Sequence, residues 1–376
     1  MRSRYLLPHL KKDLSQKMVF IGGPRQVGKT SLALMLANLT RKSTAYLNWD
    51  FDADRLKIMK NEWPRDQQTL VFDEIHKFKR WRNWIKGNFD HFYPDHHFIV
   101  TGSARLDHYR KGGDSLVGRY FLSRLHPFSC AELKLTSRTD VEHLLEFGGF
   151  PEPFLKGDTT FWRRWARSRI SRIVREDVRD LESVRDLSMI ELLVEALPSR
   201  VGSPLSIQAL REDLQVAHET IEKWIRILEN LYICYRIPPF GAPKIRAVKK
   251  EKKLYLWDWA AVPDPGARFE NFVASHLLKF CNYHEDIFGH KMELRYLRDT
   301  DGREIDFVII KDNVPLFAVE AKSGDRSLSP SIRYFKERTK IGKFYQVHLS
   351  NRDWGNPGVE GRVLPLLNFC AAEGLV

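Results

Sequence analysis

The chain has 376 residues, 61 of them Lys or Arg and 48 Asp or Glu, for a net charge of +13 with histidines neutral. That length fits two or three domains, and 43% apolar residues with ten tryptophans supply several packed cores, which excludes a disordered or fibrous chain. The four scattered cysteines (Cys130, Cys234, Cys281, Cys370) form neither a Cys-x-x-Cys metal site nor a disulfide framework. Residues 1–17 lack the apolar core of a signal peptide and no apolar run is as long as a membrane span, so a soluble, cytoplasmic protein is expected. The positive excess points to a polyanionic partner without identifying it.

Met18-Val-Phe-Ile-Gly22 has the pattern of a short buried strand. It runs into Gly23-Pro-Arg-Gln-Val-Gly28-Lys29-Thr30, a full match to Gly-x-x-x-x-Gly-Lys-Thr, after which Ser31 to Arg41 has helix-forming composition. Strand, loop and helix in that order build a phosphate cradle. Gly23 and Gly28 let backbone N–H groups curl around phosphate oxygens, Lys29 bridges the outer phosphates, Thr30 ligates magnesium, and Ser31 lies in the first turn of a helix whose N-terminus adds positive charge. The expected cofactors are ATP and Mg²⁺. A second buried strand, Thr69-Leu-Val-Phe-Asp73-Glu74, ends in two acids. After a complete phosphate loop, the first is expected to hold the magnesium shell and the second to orient the attacking water. A third strand, His97 to Ser103, ends in small polar residues suited to sensing the terminal phosphate, with Ser103 as the catalytic candidate.

These segments, with Val100-Thr-Gly-Ser-Ala, Ser115-Leu-Val-Gly118-Arg119 and His126-Pro-Phe-Ser-Cys-Ala-Glu132, resemble a prokaryotic group of AAA-type ATPases. In that group a C-terminal domain of uncharacterised function, with a restriction-endonuclease-like core, follows the ATPase. Phe147-Gly-Gly-Phe-Pro151, Arg175-Glu-Asp177 and Phe269-Glu-Asn-Phe-Val273 extend the resemblance over nearly the whole chain. It implies an AAA-like fold, ATP hydrolysis and a homo-oligomeric ring, with a hexamer as one form of it. In such rings an arginine of one subunit completes the neighbour's site. Arg119 is the candidate, with Arg105, Arg110 and Arg124 as competitors nearby.

Between the acidic pair and the third strand, Lys77 to Lys86 holds five cations, three aromatics and no acid. It suits either a nucleic-acid groove, with bases stacked on the rings, or a helix whose tryptophans pack inward. Phe161 to Arg175 carries six arginines and no acid, with apolar residues at helical spacing. Its basic face is either simply solvated or contacts phosphate or a subunit.

Downstream, a short helix capped by Ser206, a second helix from His218 to Leu231, and strands at Tyr232–Ile237 and Leu254–Trp257 joined by a lysine-rich loop read as a winged helix. Glu219, Glu222 and Glu229 on the second helix oppose its entry into a DNA groove, leaving the wing, with Lys244, Arg246, Lys249, Lys250, Lys252 and Lys253, as the expected DNA contact.

Gly302 to Ile310 and Leu316 to Lys322 read as a half-buried hairpin in which Asp306 faces Glu320 and Glu304 faces Lys322. Two carboxylates sharing a site need a cation, so Mg²⁺ or Mn²⁺ is expected there, with Lys322 stabilising charge on a phosphodiester. The resemblance adds Glu270 as a further ligand of this possible nuclease site. A cross-strand ion pair between Glu304 and Lys322 in a degenerate domain is the alternative.

The expected architecture is α/β. It comprises an AAA-type P-loop ATPase core in residues 1–150, a helical linker and winged-helix domain in 151–265, and a PD-(D/E)xK nuclease-like α/β domain in 266–376. Three functions fit: an ATP-driven, DNA-associated motor or remodelling ATPase; an ATP-gated, metal-dependent nuclease acting on branched DNA or in defence; and a nucleotide switch that binds protein partners and retains an inactive nuclease-like scaffold. The charge favours a basic surface on the ATPase, since residues 1–150 hold 25 basic and 16 acidic residues while residues 266–376 hold 16 and 15.

Overall fold

The structure is a computed structural model that describes residues 4–64, 66–103, 106, 116–178, 186–241, 251–322, 324 and 327–376. Its contacts divide the chain into two compact units. Among the described residues, the first runs through His126 and includes Asn230–Tyr232, and the second holds the remainder. The break thus falls at 126/127, upstream of the 150/151 boundary expected from the sequence. Arg105, Arg110 and the wing cations Lys244, Arg246, Lys249 and Lys250 lie outside the described residues.

The first unit is a five-stranded parallel sheet in the order β2-β3-β4-β1-β5. The strands are β1 (Met18–Gly22), β2 (Thr44–Asn48), β3 (Thr69–Asp73), β4 (His97–Gly102) and β5 (Tyr120–Arg124). Every residue of β1 and β3 is buried, as their unbroken apolar runs require in a sheet covered on both faces. Inserting β4 between β1 and β3 aligns Gly22 with Gly102 and Phe72 with Val100, so the loops leaving all three strands gather at one end of the sheet.

The aromatics of the cationic segment 77–86 belong to this unit's core. Trp81 is buried against Phe20, with ring centroids 5.8 Å apart, and Trp84 packs edge-on to Phe72 at 5.1 Å. Phe78 stacks on Trp49 at 4.7 Å. Of the two readings of that segment, the inward-packed helix is the one observed, and no ring is left for base stacking.

The second unit opens with a helical layer. Asp158 caps the helix Thr159–Arg172 by accepting from Phe161 N, and a π-turn, Ile173–Val178, follows. The helices Ile207–Leu214, capped by Ser206, and His218–Asn230 precede an antiparallel pair, β6 (Cys234–Ile237) and β7 (Lys253–Leu256). The long helix Pro265–Phe288 then packs on a six-stranded mixed sheet in the order β12-β13-β11-β10-β9-β8. Its strands are β8 (Met292–Arg298), β9 (Glu304–Lys311), β10 (Val314–Ala321), β11 (Lys343–His348), β12 (Trp354–Asn356) and β13 (Gly361–Pro365).

In the β9–β10 hairpin Val319 lies opposite Phe307, the expected register, and a bulge between Pro315 and Phe317 shifts the pairing nearer the turn. The expected half-buried hairpin is buried on both faces. Phe307 and Phe317 point one way, while Val308 and Ala318 join a second core with Ile332 and Phe335 of the helix Pro330–Arg338.

The segment that follows β5 is fastened within this second unit. Ser129 caps a short helix, Cys130–Leu133, and the buried Lys279 of the long helix donates to Ser129 Oγ at 2.8 Å and to Glu132 at 2.6 Å.

Candidate functional site

The phosphate loop is shaped by its two glycines. Gly23 has φ of 147°, and a Cβ there would lie 2.4 Å from the Leu125 carbonyl oxygen; Gly28 has φ of 97° and caps the helix Lys29–Leu39 in the left-handed conformation. Lys29 is buried, and its ammonium donates to the loop carbonyls of Gly23 at 3.1 Å and Pro24 at 2.8 Å. Thr30 and Ser31 occupy the first turn of that helix.

Asp73, at the end of β3, is the hub. Its Oδ2 accepts from Thr30 Oγ1 at 2.7 Å and from the Tyr46 hydroxyl at 2.7 Å, while its Oδ1 accepts from Thr101 Oγ1. Burial, reinforced by the Asp73 carboxylate, raises the Tyr46 phenol above its usual range and keeps it a donor. Glu74 turns out of the strand with φ of 56°, a left-handed conformation uncommon outside glycine, and its carboxylate accepts from Ser103 Oγ at 3.1 Å. Lys77 stands 3.9 Å from Glu74 and bonds Asp50 at 2.6 Å. Burial lowers the neighbouring His76 below its usual pKa, so this imidazole is neutral at pH 7.

Lys29, Thr30, Asp73, Glu74 and Ser103 therefore converge at one end of the sheet. Tyr46 and Thr101 are additions to that set. Thr101 sits inside the segment read as a sensor, whereas Tyr46 lies on β2, whose Thr-Ala-Tyr-Leu-Asn alternation was the available signal.

Arg119 stands apart. It precedes β5, its carbonyl accepts from Met18 N, and its side chain pairs with Asp90 at 2.6 Å. Met18 and Gly22 bound β1, so Arg119 is a whole strand, roughly 13–17 Å, from the phosphate loop of its own chain. Arg124 pairs with Gly22 at the loop end of the sheet.

The C-terminal acids form a second cluster with an unforeseen member. Lys253, first residue of β7 and 1% exposed, reaches Glu270 at 3.2 Å, Asp306 at 3.6 Å and Glu304 at shorter range. Tyr255 also donates to Glu270, at 2.7 Å. Burial opposes the ammonium, but the charges of Asp306, Glu270 and Glu304 outweigh it and hold Lys253 above its usual pKa. Burial and the Asp306 charge push Glu270 up to about 7 and raise Glu320 as well.

The ion pair between Glu304 and Lys322, the alternative to a metal site, is not formed. Glu304 is drawn to Lys253 and Arg298, and Lys322 bonds Glu320 at 2.6 Å. Asp306 accepts from Ala321 N at 2.9 Å. Among the described residues no group of three or more His, Cys, Asp or Glu side chains is placed to hold a metal ion. At this cluster the donors do not suit a divalent ion, because an ammonium already lies among them. Lys253, expected among the DNA-contacting cations of the wing, is instead buried, because carboxylates remote in sequence claim its ammonium.

Residues 15–134 match the model of an AAA domain. Residues 138–262 match a domain of unknown function (DUF8612), and residues 265–369 another (DUF4143). An uncharacterized protein of Haemophilus influenzae is 23% identical over 354 residues, covering 84% of this chain and 85% of that one. One of Methanocaldococcus jannaschii is 21% identical over 386 residues, covering 93% and 85%. Among solved structures, the Thermotoga maritima RuvB Holliday junction branch migration motor aligns at 17% identity and a TM-score of 0.32, covering 61% of this chain and 88% of that one. No helix among the described residues is long and apolar enough to cross a membrane.

Proposed function

We propose that this chain, whose residues 15–134 are an AAA-type P-loop ATPase domain, is an ATP-hydrolysing motor or remodelling enzyme that works on DNA as a homo-oligomer. The observation that carries the proposal is the hydrogen-bond chain from Thr30 through Asp73 to Thr101, with Glu74 held beside it by Ser103. Thr30 and Asp73 offer a hydroxyl and a carboxylate, hard oxygen donors of the kind Mg²⁺ takes from a protein while phosphates and water complete its shell. That ion, bound with ATP, neutralises charge on the transferring phosphoryl group. Lys29 reaches the outer phosphates by exchanging its two loop carbonyls for them. Glu74 orients the attacking water, and Ser103 reports the terminal phosphate to it. Arg119, too far from its own chain's loop, acts on the neighbouring subunit.

The DNA half of the proposal is supported by the charge of residues 1–150. With the aromatics of 77–86 packed inward, contact falls to cations on phosphates, which is sequence-independent and weakened by salt. The helix–helix–hairpin order of residues 207–256 supports a winged-helix reading. Its second helix is committed to its own hairpin, because Glu222 and Glu229 both pair with Arg236, at 3.2 and 2.9 Å. The ammonium of Lys253, set among Glu270, Glu304 and Asp306, supports a nuclease-like scaffold that does not cleave.

Hydrolysis rates measured with single-stranded, duplex and branched DNA at low and high salt test the motor reading. Stimulation that falls with salt is expected, and indifference to every DNA would sink the DNA half. A cleavage product in Mg²⁺ or Mn²⁺, lost in Glu320→Ala, would overturn the scaffold reading.

A further inference from the structure

A cavity of about 390 Å³ lies within the second unit, between the helix Thr159–Arg172, the helix Leu187–Ala196 and the β6–β7 region. Ile170, Val194, Ile233 and Leu256 give it an apolar wall, Arg169 and Asp258 are set into it, and Arg167, Arg175, Glu191 and Glu195 also line it. Arg169 is the anomaly. It comes from the arginine-rich helix whose basic face was expected to be exposed, yet it is 3% exposed, and its Nε and Nη2 have no hydrogen-bond partner. Phe150 covers the guanidinium at 4.2 Å and Trp165 lies 5.7 Å away. Stacking on ring faces recovers only part of what burying a cation costs, and leaves the in-plane N–H groups unmet.

The nearby acids do not supply those bonds. Asp258 and Asp177 act on Arg169 through space, and burial still draws the guanidinium down to about 10. Asp258 is itself 7% exposed, with one carboxylate oxygen unpartnered, and burial pushes it up to about 6. At the rim, Arg175 pairs with Glu191 at 3.1 Å, so that arginine is committed elsewhere. A buried planar fork of donors beside the apolar wall of Ile170, Val194, Ile233 and Leu256 matches an oxyanion carried on an apolar body.

We propose that this cavity binds a small amphipathic oxyanion, a carboxylate or a phosphate ester, whose charged head is taken by Arg169 and whose apolar body lies against Ile170, Val194 and Leu256. The site is separate from the ATP site and independent of the motor reading. In an AAA enzyme it gives the middle of the chain a small-molecule input.

The test is calorimetric titration of the full chain, its nucleotide site saturated with Mg²⁺ and ADP, against octanoate, phenyl phosphate and inorganic phosphate. Saturable one-to-one binding of octanoate or phenyl phosphate is expected, with inorganic phosphate at least roughly tenfold weaker because it leaves the apolar wall unfilled. Octanoate alone assigns a carboxylate, phenyl phosphate alone a phosphate ester, and both support the site. Arg169→Met should lose the binding while its melting temperature is held or raised, since it removes an unmet cation. Val194→Phe, which narrows the chamber at its apolar wall and keeps Arg169, should weaken it too. No saturable binding of either organic anion, or equal affinity in both variants, would overturn the proposal.

Discussion

Lys253 Nζ lies 3.2 Å from Glu270 Oε1, so a strand of the β6–β7 hairpin and the long C-terminal helix are joined by a buried ion pair in the middle of an acidic cluster. Removing the lysine leaves Glu270, Glu304 and Asp306 facing one another. Lys253→Ala is expected to cost on the order of 3–5 kcal/mol of stability, as for other buried pairs broken from one side. It should also create a cation site: Mn²⁺ raises the melting temperature of the variant and leaves the parent chain unmoved. A parent chain stabilised equally by Mn²⁺ would show that the ammonium does not hold that position.

The ATP site makes a sharper kinetic prediction. Glu74→Gln keeps the shape of the carboxylate and loses its charge, so hydrolysis should fall about 10²–10⁴-fold, the usual contribution of a positioned general base, while ATP binding is retained. Tyr46→Phe removes only one of the bonds to Asp73 and should cost far less. Single-turnover hydrolysis with a separate nucleotide-binding titration distinguishes the two. A Glu74→Gln chain that hydrolyses normally would move the base elsewhere.

Arg119 tests assembly. Arg119→Ala and Lys29→Ala chains should each be slow, the first for want of a neighbour's arginine and the second for want of its own phosphate grip. Mixing them places intact Arg119 beside intact loops, so partial recovery of turnover is expected. No recovery in the mixture argues against action between subunits.

Stability should depend on pH through Glu270. Burial raises its folded pKa to about 7 from the ordinary value of 4.5. The folded state therefore binds the proton more tightly than the unfolded chain does. The resulting stabilisation is complete below about pH 4.5 and is lost as pH rises through 7. The unfolding midpoint in urea should fall between pH 5 and pH 8, and Glu270→Gln should flatten that slope. An unchanged slope in the variant would place the titration elsewhere.

The ATPase half was legible because its signals are local. Five buried apolar residues, a glycine-framed loop and a helix fix where Lys29 and Thr30 sit, and the acids of β3 follow from the same logic. What escaped reading depended on contacts remote in sequence. Nothing near Lys253 distinguishes it from Lys249 or Lys252, because its burial is decided by carboxylates 17 to 53 residues away. Arg169 was one arginine among six, and only the arrival of Phe150 and Asp258 sets it apart. The tryptophans of 77–86 admitted two readings because both need aromatics among cations, and the strands they pack against chose between them.

The bond between Lys279 and Glu132, both nearly inaccessible to water, spans 147 residues. A nascent chain therefore makes the acid long before its partner. The sheet that carries the ATP site is complete by Arg124, whereas the following segment must wait for the long helix before its charge is matched. Fragments cut at the borders of the sequence families, between 134 and 138 or between 262 and 265, part Glu132 from Lys279 and strand a carboxylate that the whole chain buries. The main break between the two compact units lies after His126, with Asn230–Tyr232 belonging to the first unit from beyond it.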